Sequence, residues 1–285
     1  MILPAGISIR EMTPEDIGAG LRLCRASGWN QTERDWLFFL RTDVHGALVA
    51  EEDGRVIGTT ATLPYGPFTW ISMVLVDPAA RGRGVATTLL QRALGLVERN
   101  AVPRLDATPS GEPIYRALGF VSDLRLARWS VDATPSHIAR PLGPRVLEAG
   151  DWTAVHEMDM RTFGASRSTL LERLADEAPE YARVVFDERR LLGYLLGRRG
   201  HGKDQIGPLV ADSDDTAIAL LRSCLAEHSD RAFFIDVPDG HEAWAHTLST
   251  LGFRIERPFV RMHRGIMTAP GDQFSIYAIT GPEFG

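Results

Sequence analysis

The stretch from residue 71 to residue 97 constrains the fold of this chain more than any other part of the sequence. It begins with an apolar run, residues 71–76, that stops at Asp77-Pro78, as a buried strand does where proline cannot continue the ladder. From about Gly84 onward, apolar residues recur at the spacing of one helix face: Val85, Ala86, Leu89, Leu90, Ala93, Leu96 and Val97. The sequence therefore predicts a strand, a short turn and an amphipathic helix.

The turn between these elements, Arg81-Gly82-Arg83-Gly84, indicates an anion-binding site. Gly82 and Gly84 allow backbone conformations that a side chain forbids, and they let a ligand approach the main chain closely. The first N–H groups of the helix have no intrahelical partner and carry the positive end of the helix dipole. Arg81 and Arg83 can add charge-assisted hydrogen bonds of roughly 1.5–3 kcal/mol each, so the turn suits a pyrophosphate.

Two other phosphate-binding loops are excluded by their spacing. The chain contains no GxxxxGK[ST] loop, and no GxGxxG followed by an acidic residue about 20 positions later. The segment instead resembles motif A of the GCN5-related N-acetyltransferases (GNAT), R/Q-x-x-G-x-G/A, matched at Arg81, Gly84 and Ala86. The resemblance implies that acetyl-coenzyme A is the co-substrate. By the same resemblance, the residues that bind it are Val74, Leu75, Val76, Arg81, Gly82, Arg83, Gly84, Val85, Ala86, Thr87 and Thr108.

The resemblance also implies how the reaction runs. In the family fold the fourth and fifth strands are parallel but splay apart, and the pantetheine arm lies in the gap against the backbone of Val74 and Val76. An N–H near Val74 would polarise the thioester carbonyl. Tyr115 stands in a Y-x-x-x-G-F motif, completed by Gly119 and Phe120, where the family carries the general acid that serves the leaving thiolate. Tyr115 is therefore the predicted catalytic residue.

Recognition of the acceptor is less clearly encoded. An alkylamine with a pKa of about 10.4 is almost entirely protonated near neutral pH, so a base, a water chain or a desolvating pocket must help. The candidate bases near strand ends are Glu51, Asp106 and His45, each of which is also suited to a solvated or capping role. In this fold, Trp29, Asn30 and Tyr65 flank the acceptor side, although packing against the second half explains them as well. Thr108 or Ser110 would replace an asparagine that the family often carries after the fifth strand.

The second half of the chain is a weak copy of the first. RVIG at residues 55–58 corresponds to RLLG at 190–193, and LGF at 118–120 corresponds to LGF at 251–253, at offsets of about 130–135 positions. We therefore predict an N-terminal GNAT domain over residues 1–133, a Pro-rich linker over 134–144 and a degenerate GNAT-like domain over 145–285. The second copy lacks the Arg/Gly turn and has three carboxylates at its helix start, which repel a pyrophosphate.

The predicted fold class is α/β (α+β), as two GNAT folds in tandem. Each domain is expected to be a mixed, mostly antiparallel twisted sheet with splayed parallel central strands, flanked by helices. The segments at 28–32, 261–265 and 279–285 resemble the two-domain subgroup with a YitH/HolE-type C-terminal domain.

Composition excludes several classes of protein. The chain has 285 residues with 44% hydrophobic and 24% charged residues and a net charge of −6, so a general nucleic-acid-binding surface is not expected. With two distant cysteines, no basic and apolar leader and no long apolar run, we expect a cytoplasmic protein without a membrane span. There is no HExxH or CxxC, so no metal is expected.

We predict an N-acetyltransferase that moves the acetyl group of acetyl-coenzyme A to the primary amine of a small molecule by direct attack, because no GxSxG nucleophile elbow is present. Two alternatives stay open. One is a module that binds or senses acyl-coenzyme A without turnover, and the other is an enzyme that acetylates a protein or peptide amine. A monomer or a homodimer is compatible with the sequence.

Overall fold

The computed structural model describes residues 6–229, 231–267 and 271–285, so residues 1–5 of the predicted N-terminal domain and residues 230 and 268–270 of the predicted C-terminal domain lie outside the described residues. The first half contains β1 (Ile7–Glu11), α1 (Ile17–Ala26), α2 (Glu33–Thr42), β2 (Ala47–Glu52), β3 (Arg55–Pro64), β4 (Phe68–Val76), α3 (Val85–Leu96), β5 (Val102–Ala107), α4 (Glu112–Ala117) and β6 (Val121–Val131). The second half contains β7 (Arg145–Val146), α5 (Trp152–Phe163), α6 (Ser168–Glu177), β8 (Arg183–Asp187), β9 (Arg190–Arg198), β10 (Asp204–Ala211), α7 (Asp214–Ala226), β11 (Phe233–Pro238), α8 (Glu242–Thr250), β12 (Arg254–His263) and β13 (Ile276–Ala278).

The two halves repeat the same local devices. Before α1, Arg10 forms an ion pair of 2.6 Å with Asp16, and before α5, Arg145 forms one of 2.7 Å with Asp151. In both places the aspartate also accepts a hydrogen bond from a backbone N–H three residues earlier, which closes the turn into the helix. The internal repeat predicted from the sequence is therefore visible at the level of single contacts.

The last long strand of each half crosses into the sheet of the other half. β6 pairs antiparallel with β11, from Val131 opposite Phe233 onward, and β12 pairs antiparallel with β5, from Ala107 opposite Val260 onward. β6 and β12 also pair with each other along most of their length. In the described part of the chain, the result is one 13-stranded sheet in the order β1-β2-β3-β4-β5-β12-β6-β11-β10-β9-β8-β7, with β13 beside β10.

Two parallel strand pairs interrupt the antiparallel sheet, and both splay apart. β4 and β5 pair only where Phe68–Trp70 faces Val102–Arg104. β10 and β11 pair only where 204–206 faces 233–235, and beyond that point β13 pairs antiparallel with β10 while Ile279 N donates to Asp236 O at 2.9 Å. The predicted tandem fold, mostly antiparallel with splayed parallel central strands, is confirmed. The sheet is continuous across the halves, and within the described residues β13 pairs beside β10 in the second gap, whereas no strand fills the first.

The main apolar core also joins the halves. It contains Trp36, Phe39 and Phe68 from the first half together with Phe163 and Leu171 from the second, all of them buried. Because burial of apolar surface is the main favourable term in folding, this shared core ties the stability of each half to the presence of the other.

We expect that a fragment of residues 1–133 alone does not form a stable monomer. It would leave β6 without β11 and β12, and the edge of β5 without β12, and unpaired edges of this kind promote aggregation. Size-exclusion chromatography with light scattering and urea unfolding of the fragment would measure this. Co-expression with residues 134–285 should restore a soluble complex that unfolds in one transition, whereas a monomeric fragment with its own cooperative unfolding would contradict the expectation.

Candidate active site

A cleft of about 940 Å³ opens where β4 and β5 diverge. One wall is the end of β4, and the opposite wall is the segment that leaves β5 and enters α4. The floor at one end is the glycine-rich turn before α3. The predicted cofactor residues that line the cleft are Val74, Leu75, Val76, Arg81, Gly82, Gly84, Val85, Ala86, Thr87 and Thr108. The structure therefore brings together all but one of the residues predicted to bind acetyl-coenzyme A.

The glycine-rich turn has the backbone that the sequence indicates. Gly82 and Gly84 both adopt left-handed conformations, with φ of 73° and 79°, which a side chain would strain. Gly84 is the N-cap of α3, so the free N–H groups of the helix follow it directly. Arg81 is held at the rim because its Nε donates to Val76 O at 3.3 Å. These groups form an anion-binding end of the cleft.

Arg83 is the predicted cofactor residue that does not line the cleft. Its guanidinium forms two hydrogen bonds with Glu52, at 2.5 and 2.9 Å, on the outer side of the turn. The hydrogen bond from Arg83 lowers the pKa of Glu52, so the carboxylate stays ionised and continues to neutralise the charge of Arg83. Arg81 is consequently the cationic side chain of the turn that lines the cleft.

The edge of β4 faces the cleft with free backbone groups. On its other side β4 pairs with β3, where Gly58 faces Val76 and Thr59 faces Leu75. The ladder to β5 ends at Trp70, so residues 74–76 have no strand partner on the cleft side among the described residues. Met73, with φ of 55°, lies at the irregularity that bends the strand at this point. An extended ligand could therefore pair with this edge.

Tyr115 lies in the wall of the cleft, on α4. Its ring packs edge-on against Phe120 with the centroids 6.0 Å apart, and the side chain is largely buried. Burial raises the pKa of the Tyr115 hydroxyl, so the phenol keeps its proton over the physiological range. Thr108 Oγ1 and Ser110 Oγ, 3.2 Å apart, lie in the same wall. The expected proton donor is therefore in the cleft and protonated.

A second, smaller pocket continues from this cleft and is built by both halves of the chain. The two cavities share Trp29, Val74, Asp106, Thr108, Tyr115 and Arg257. The smaller one is completed by Gln31, Ile71, Ser72, Met73, Arg128, Phe259, Pro282 and Glu283. Because it meets the cleft beside Tyr115 and the bend of β4, it is a suitable position for an acceptor.

The three residues predicted to line the acceptor side have different positions. Trp29 lines both cavities. Tyr65 does not: its hydroxyl donates to Phe284 O at 2.9 Å and its ring packs edge-on against Phe163, so it packs between the halves. Asn30 is buried beside Gly200, and its backbone oxygen accepts from His201 N at 2.9 Å. For Tyr65 and Asn30, packing against the second half is the role that the structure supports.

The candidate bases all form hydrogen bonds with other charged side chains. Asp106 lines the cleft, but both its oxygens accept hydrogen bonds of 2.9 Å from Arg261 of β12. Glu51 is bound to Arg10, and His45 to Glu11, and neither lines either cavity. A different ionisable residue, Glu283, lines the smaller pocket. Segment 279–285 contributes to the resemblance to the two-domain subgroup, but nothing in its local pattern predicts that Glu283 lies at the cleft of the first half.

In the corresponding region of the second half, a strand lies where the first half has its cleft. β13 occupies the gap between β10 and β11, and Ser213 Oγ caps α7 by accepting from Thr216 N at 3.3 Å. When the two LGF segments are aligned, Leu248 stands at the position of Tyr115 and is fully buried, and Trp244, one helical turn earlier, is fully buried against Tyr277. These contacts explain in physical terms why the second half is not expected to bind a pyrophosphate.

Neither a metal cluster nor a membrane helix is found in the described ranges 6–229, 231–267 and 271–285. There, no group of three or more His, Cys, Asp or Glu residues could hold a metal ion. None of the helices is both long and apolar enough to cross a membrane.

Two family models, a curated relative and two solved structures that match this chain are described as acetyltransferases or GNAT proteins. Residues 18–120 match the model of the acetyltransferase (GNAT) family, and residues 155–278 match that of an acetyltransferase (GNAT) domain. The chain is 25% identical over 276 residues to "Uncharacterized N-acetyltransferase YitH" of Bacillus subtilis, covering 95% of this chain and 96% of that protein. A putative acetyltransferase from Pyrococcus horikoshii has the same fold, with a TM-score of 0.82, 24% identity and coverage of 100% and 98%. A tandem GNAT protein from the clavulanic acid biosynthesis pathway aligns with a TM-score of 0.62 and 16% identity over 90% and 98% of the two chains.

The Asp106–Arg261 pair should be a structural contact between the halves. Asp106→Ala would leave the buried Arg261 guanidinium without its partner, so we expect a loss of about 3–5 kcal/mol in the free energy of unfolding, measured in urea. Glu112→Ala, which breaks the exposed pair with Arg116, is the control and should cost less than about 1 kcal/mol. The double variant Asp106→Ala/Arg261→Met should recover part of the lost stability. If Asp106→Ala and Glu112→Ala lowered the free energy of unfolding equally, the structural role of the Asp106–Arg261 pair would be contradicted.

Proposed function

The chain belongs to the GNAT family of acetyltransferases and is an acyltransferase, and we propose that it acetylates the primary amine of a small molecule at a single site in its first half. In this proposal residues 1–133 hold acetyl-coenzyme A, residues 134–144 connect the halves, and residues 145–285 form a degenerate unit that supplies one wall of the acceptor pocket. The observation that carries the proposal is the continuity of the anion-binding turn, the free edge of β4 and Tyr115 along one cleft.

The binding of acetyl-coenzyme A follows from the chemistry along the cleft. Its pyrophosphate would lie at the start of α3, where Arg81 and the free N–H groups offer positive charge. Its pantetheine arm would pair with the edge of residues 74–76. Thr108 lies across the gap and can hydrogen-bond the arm. A volume of about 940 Å³ is ample for a ligand of this size.

Catalysis would then need only positioning and two proton transfers. An N–H near Val74 would donate a hydrogen bond to the thioester oxygen as negative charge develops on it, as an oxyanion hole does. The ammonium first loses one proton to a base or to water, and the neutral nitrogen attacks the carbonyl carbon. The C–S bond then breaks, the hydroxyl of Tyr115 stabilises the thiolate by donating a hydrogen bond, and the second amine proton ends on the sulfur. The smaller pocket has a volume of only about 30 Å³, so it would take the amine end of the acceptor, while the apolar body would lie beside Trp29 in the wider cleft.

Arg81→Ala tests the binding site. We expect the Kd of acetyl-coenzyme A, measured by calorimetry, to rise about 10-fold, and the difference to shrink in high salt because the contact is electrostatic. Arg83→Ala is the matched control, because Arg83 is engaged with Glu52 and should change the Kd much less. Two acetyl-coenzyme A sites per chain, or equal effects of the two variants, would contradict a single site at this turn.

Tyr115→Phe tests turnover. With any primary amine that gives thiol release in a screen, kcat should fall by about 100-fold, because the thiolate loses its hydrogen-bond donor. The affinity for acetyl-coenzyme A should be unchanged, since the ring still packs on Phe120. A wild-type protein that binds acetyl-coenzyme A and releases no thiol with any amine would instead support a sensing module.

A further inference from the structure

The last seven residues of the chain form part of the wall of the smaller pocket. After β13, the segment 279–285 crosses from the second half to the first, where Trp70 Nε1 donates to Pro282 O and the Tyr65 hydroxyl donates to Phe284 O, each at 2.9 Å. Arg167 donates to Gly285 O at 2.8 Å. With hydrogen bonds on both sides of it, Glu283 is held in a fixed position.

The Glu283 carboxylate has one occupied oxygen and one free oxygen. Oε1 accepts a hydrogen bond from Arg198, while Oε2 is buried and has no hydrogen-bond partner among the described residues. The side chain is 1% exposed and lines the smaller pocket. Gly281 makes room for it, because a Cβ at that position would come within 2.9 Å of Oε2. A buried acceptor without a donor is costly, so this oxygen indicates that a ligand supplies the donor.

Two other side-chain oxygens of the same pocket are also buried without a hydrogen-bond partner among the described residues. Gln31 Oε1 and Ser72 Oγ are buried and also lack a partner within the part of the chain that the structure describes. Gln31 follows α1, Ser72 lies on β4 beside its bend, and Glu283 comes from the C-terminal segment, so three separate parts of the fold contribute to one pocket. An ammonium group carries three N–H donors and no acceptor, which matches three acceptor oxygens.

We propose that Glu283 is the residue that receives the acceptor: with Gln31 and Ser72 it binds the ammonium group, and it is the general base that takes the proton from it. This inference rests on the proposed acetyl transfer, and it assigns to the second half a direct part in the chemistry of the first.

The surrounding charges support this assignment. Burial raises the pKa of the Glu283 carboxyl, which makes it a better base than an exposed carboxylate. The charged groups that face it are Arg198 of β9, Asp35 of α2, Arg128 of β6, Arg257 of β12 and the paired Asp106 of β5. Arg128 is neutralised by Asp236, whereas Arg257 has no carboxylate in hydrogen-bond contact among the described residues. A free guanidinium beside a bound ammonium favours loss of the ammonium proton.

The proton balance closes without a further reactant. One proton passes from the ammonium to Glu283 Oε2, which leaves a neutral amine beside the thioester. The C–N bond then forms, the C–S bond breaks, and the second amine proton ends on the thiolate sulfur. Glu283 finally returns its proton to solvent, so the products are the acetylated amine and coenzyme A.

Glu283→Gln tests the inference, with phenethylamine as the probe: its ammonium group would enter the smaller pocket, and its ring would lie in the wider cleft beside Trp29 and Tyr115, which line both cavities. In the presence of coenzyme A, we expect the affinity for phenethylammonium, measured by calorimetry, to fall at least about 10-fold. The wild-type affinity should also weaken as the pH falls through the pKa of Glu283, since the protonated carboxyl has no charge, while the variant should show no such dependence. Turnover of phenethylamine should fall by about 100-fold.

Two further variants separate the proposal from structural effects. Glu180→Gln makes the same chemical change at a carboxylate that pairs with Arg199 and lines neither cavity, so it should leave phenethylammonium binding unchanged. Ser72→Ala removes a hydroxyl that has no partner among the described residues, so it should not lower the stability and should weaken phenethylammonium binding about fivefold. Ser72→Ala therefore tests the pocket even where Glu283→Gln fails to fold.

The outcomes distinguish this inference from the proposed function. If acetyl-coenzyme A binds but phenethylammonium does not bind to the wild-type protein at millimolar concentration, the ammonium site is wrong and the acetyl-coenzyme A site stands. Unchanged affinity and pH dependence in Glu283→Gln would likewise overturn it. Binding of both ligands without thiol release would overturn the role of Glu283 as a base. Failure to bind acetyl-coenzyme A would refute the proposed function itself.

Discussion

The pairing of β6 with β12 is the contact on which the rest of this structure depends. Each strand closes the sheet of the other half, because β6 lies against β11 and β12 lies against β5. A sheet edge presents unpaired N–H and C=O groups, so neither half has a protected edge at this position without the other. The exchange therefore makes the two halves one folding unit, although their sequences are copies of one pattern. It also brings Arg257 and Phe259 of β12 into the wall of the smaller pocket.

The same C-terminal segment creates the difference between the two halves. β13 fills the gap between β10 and β11, which in the first half is open between β4 and β5. The residues that follow then cross over and line the pocket of the first half, where Phe284 stacks on Phe39 with the ring centroids 5.4 Å apart. One short segment, β13 and the residues after it, therefore both fills the gap of the second half and lines the pocket of the first half. A duplication can become asymmetric in this way through one added strand and the segment that follows it.

The sequence predicted the parts of the site that depend on local pattern. The turn at 81–86 and Tyr115 are encoded by spacing within a few residues, and the structure brings them to one cleft. The pairing of Arg83 with Glu52 was not predictable, because the two residues are 31 positions apart. The local pattern also does not show which of the two arginines of the turn, Arg81 or Arg83, faces the ligand. The exchange of β6 and β12 was equally hidden: each is a copy of the other, so a pattern of apolar residues fits either sheet. Glu283 reaches its pocket only through that long-range order.

The buried charges around Glu283 impose a cost that hydrophobic packing elsewhere must offset. Arg198 contacts both Asp35 and Glu283, and Arg128 is held by Asp236 at 2.8 Å, with all these side chains almost fully buried. Buried ion pairs often stabilise less than well-packed apolar residues of the same size, so a contribution to stability is a weak reason for their presence. Their effect here is geometric. Arg198 holds one oxygen of Glu283 and leaves the other without a hydrogen-bond partner among the described residues, and the aromatic core of Phe39, Phe163 and Phe284 provides the burial that makes such an arrangement affordable. Because a buried acceptor without a donor is costly, the free oxygen of Glu283 is the point at which the proposed ammonium ligand would complete the hydrogen bonding of the pocket.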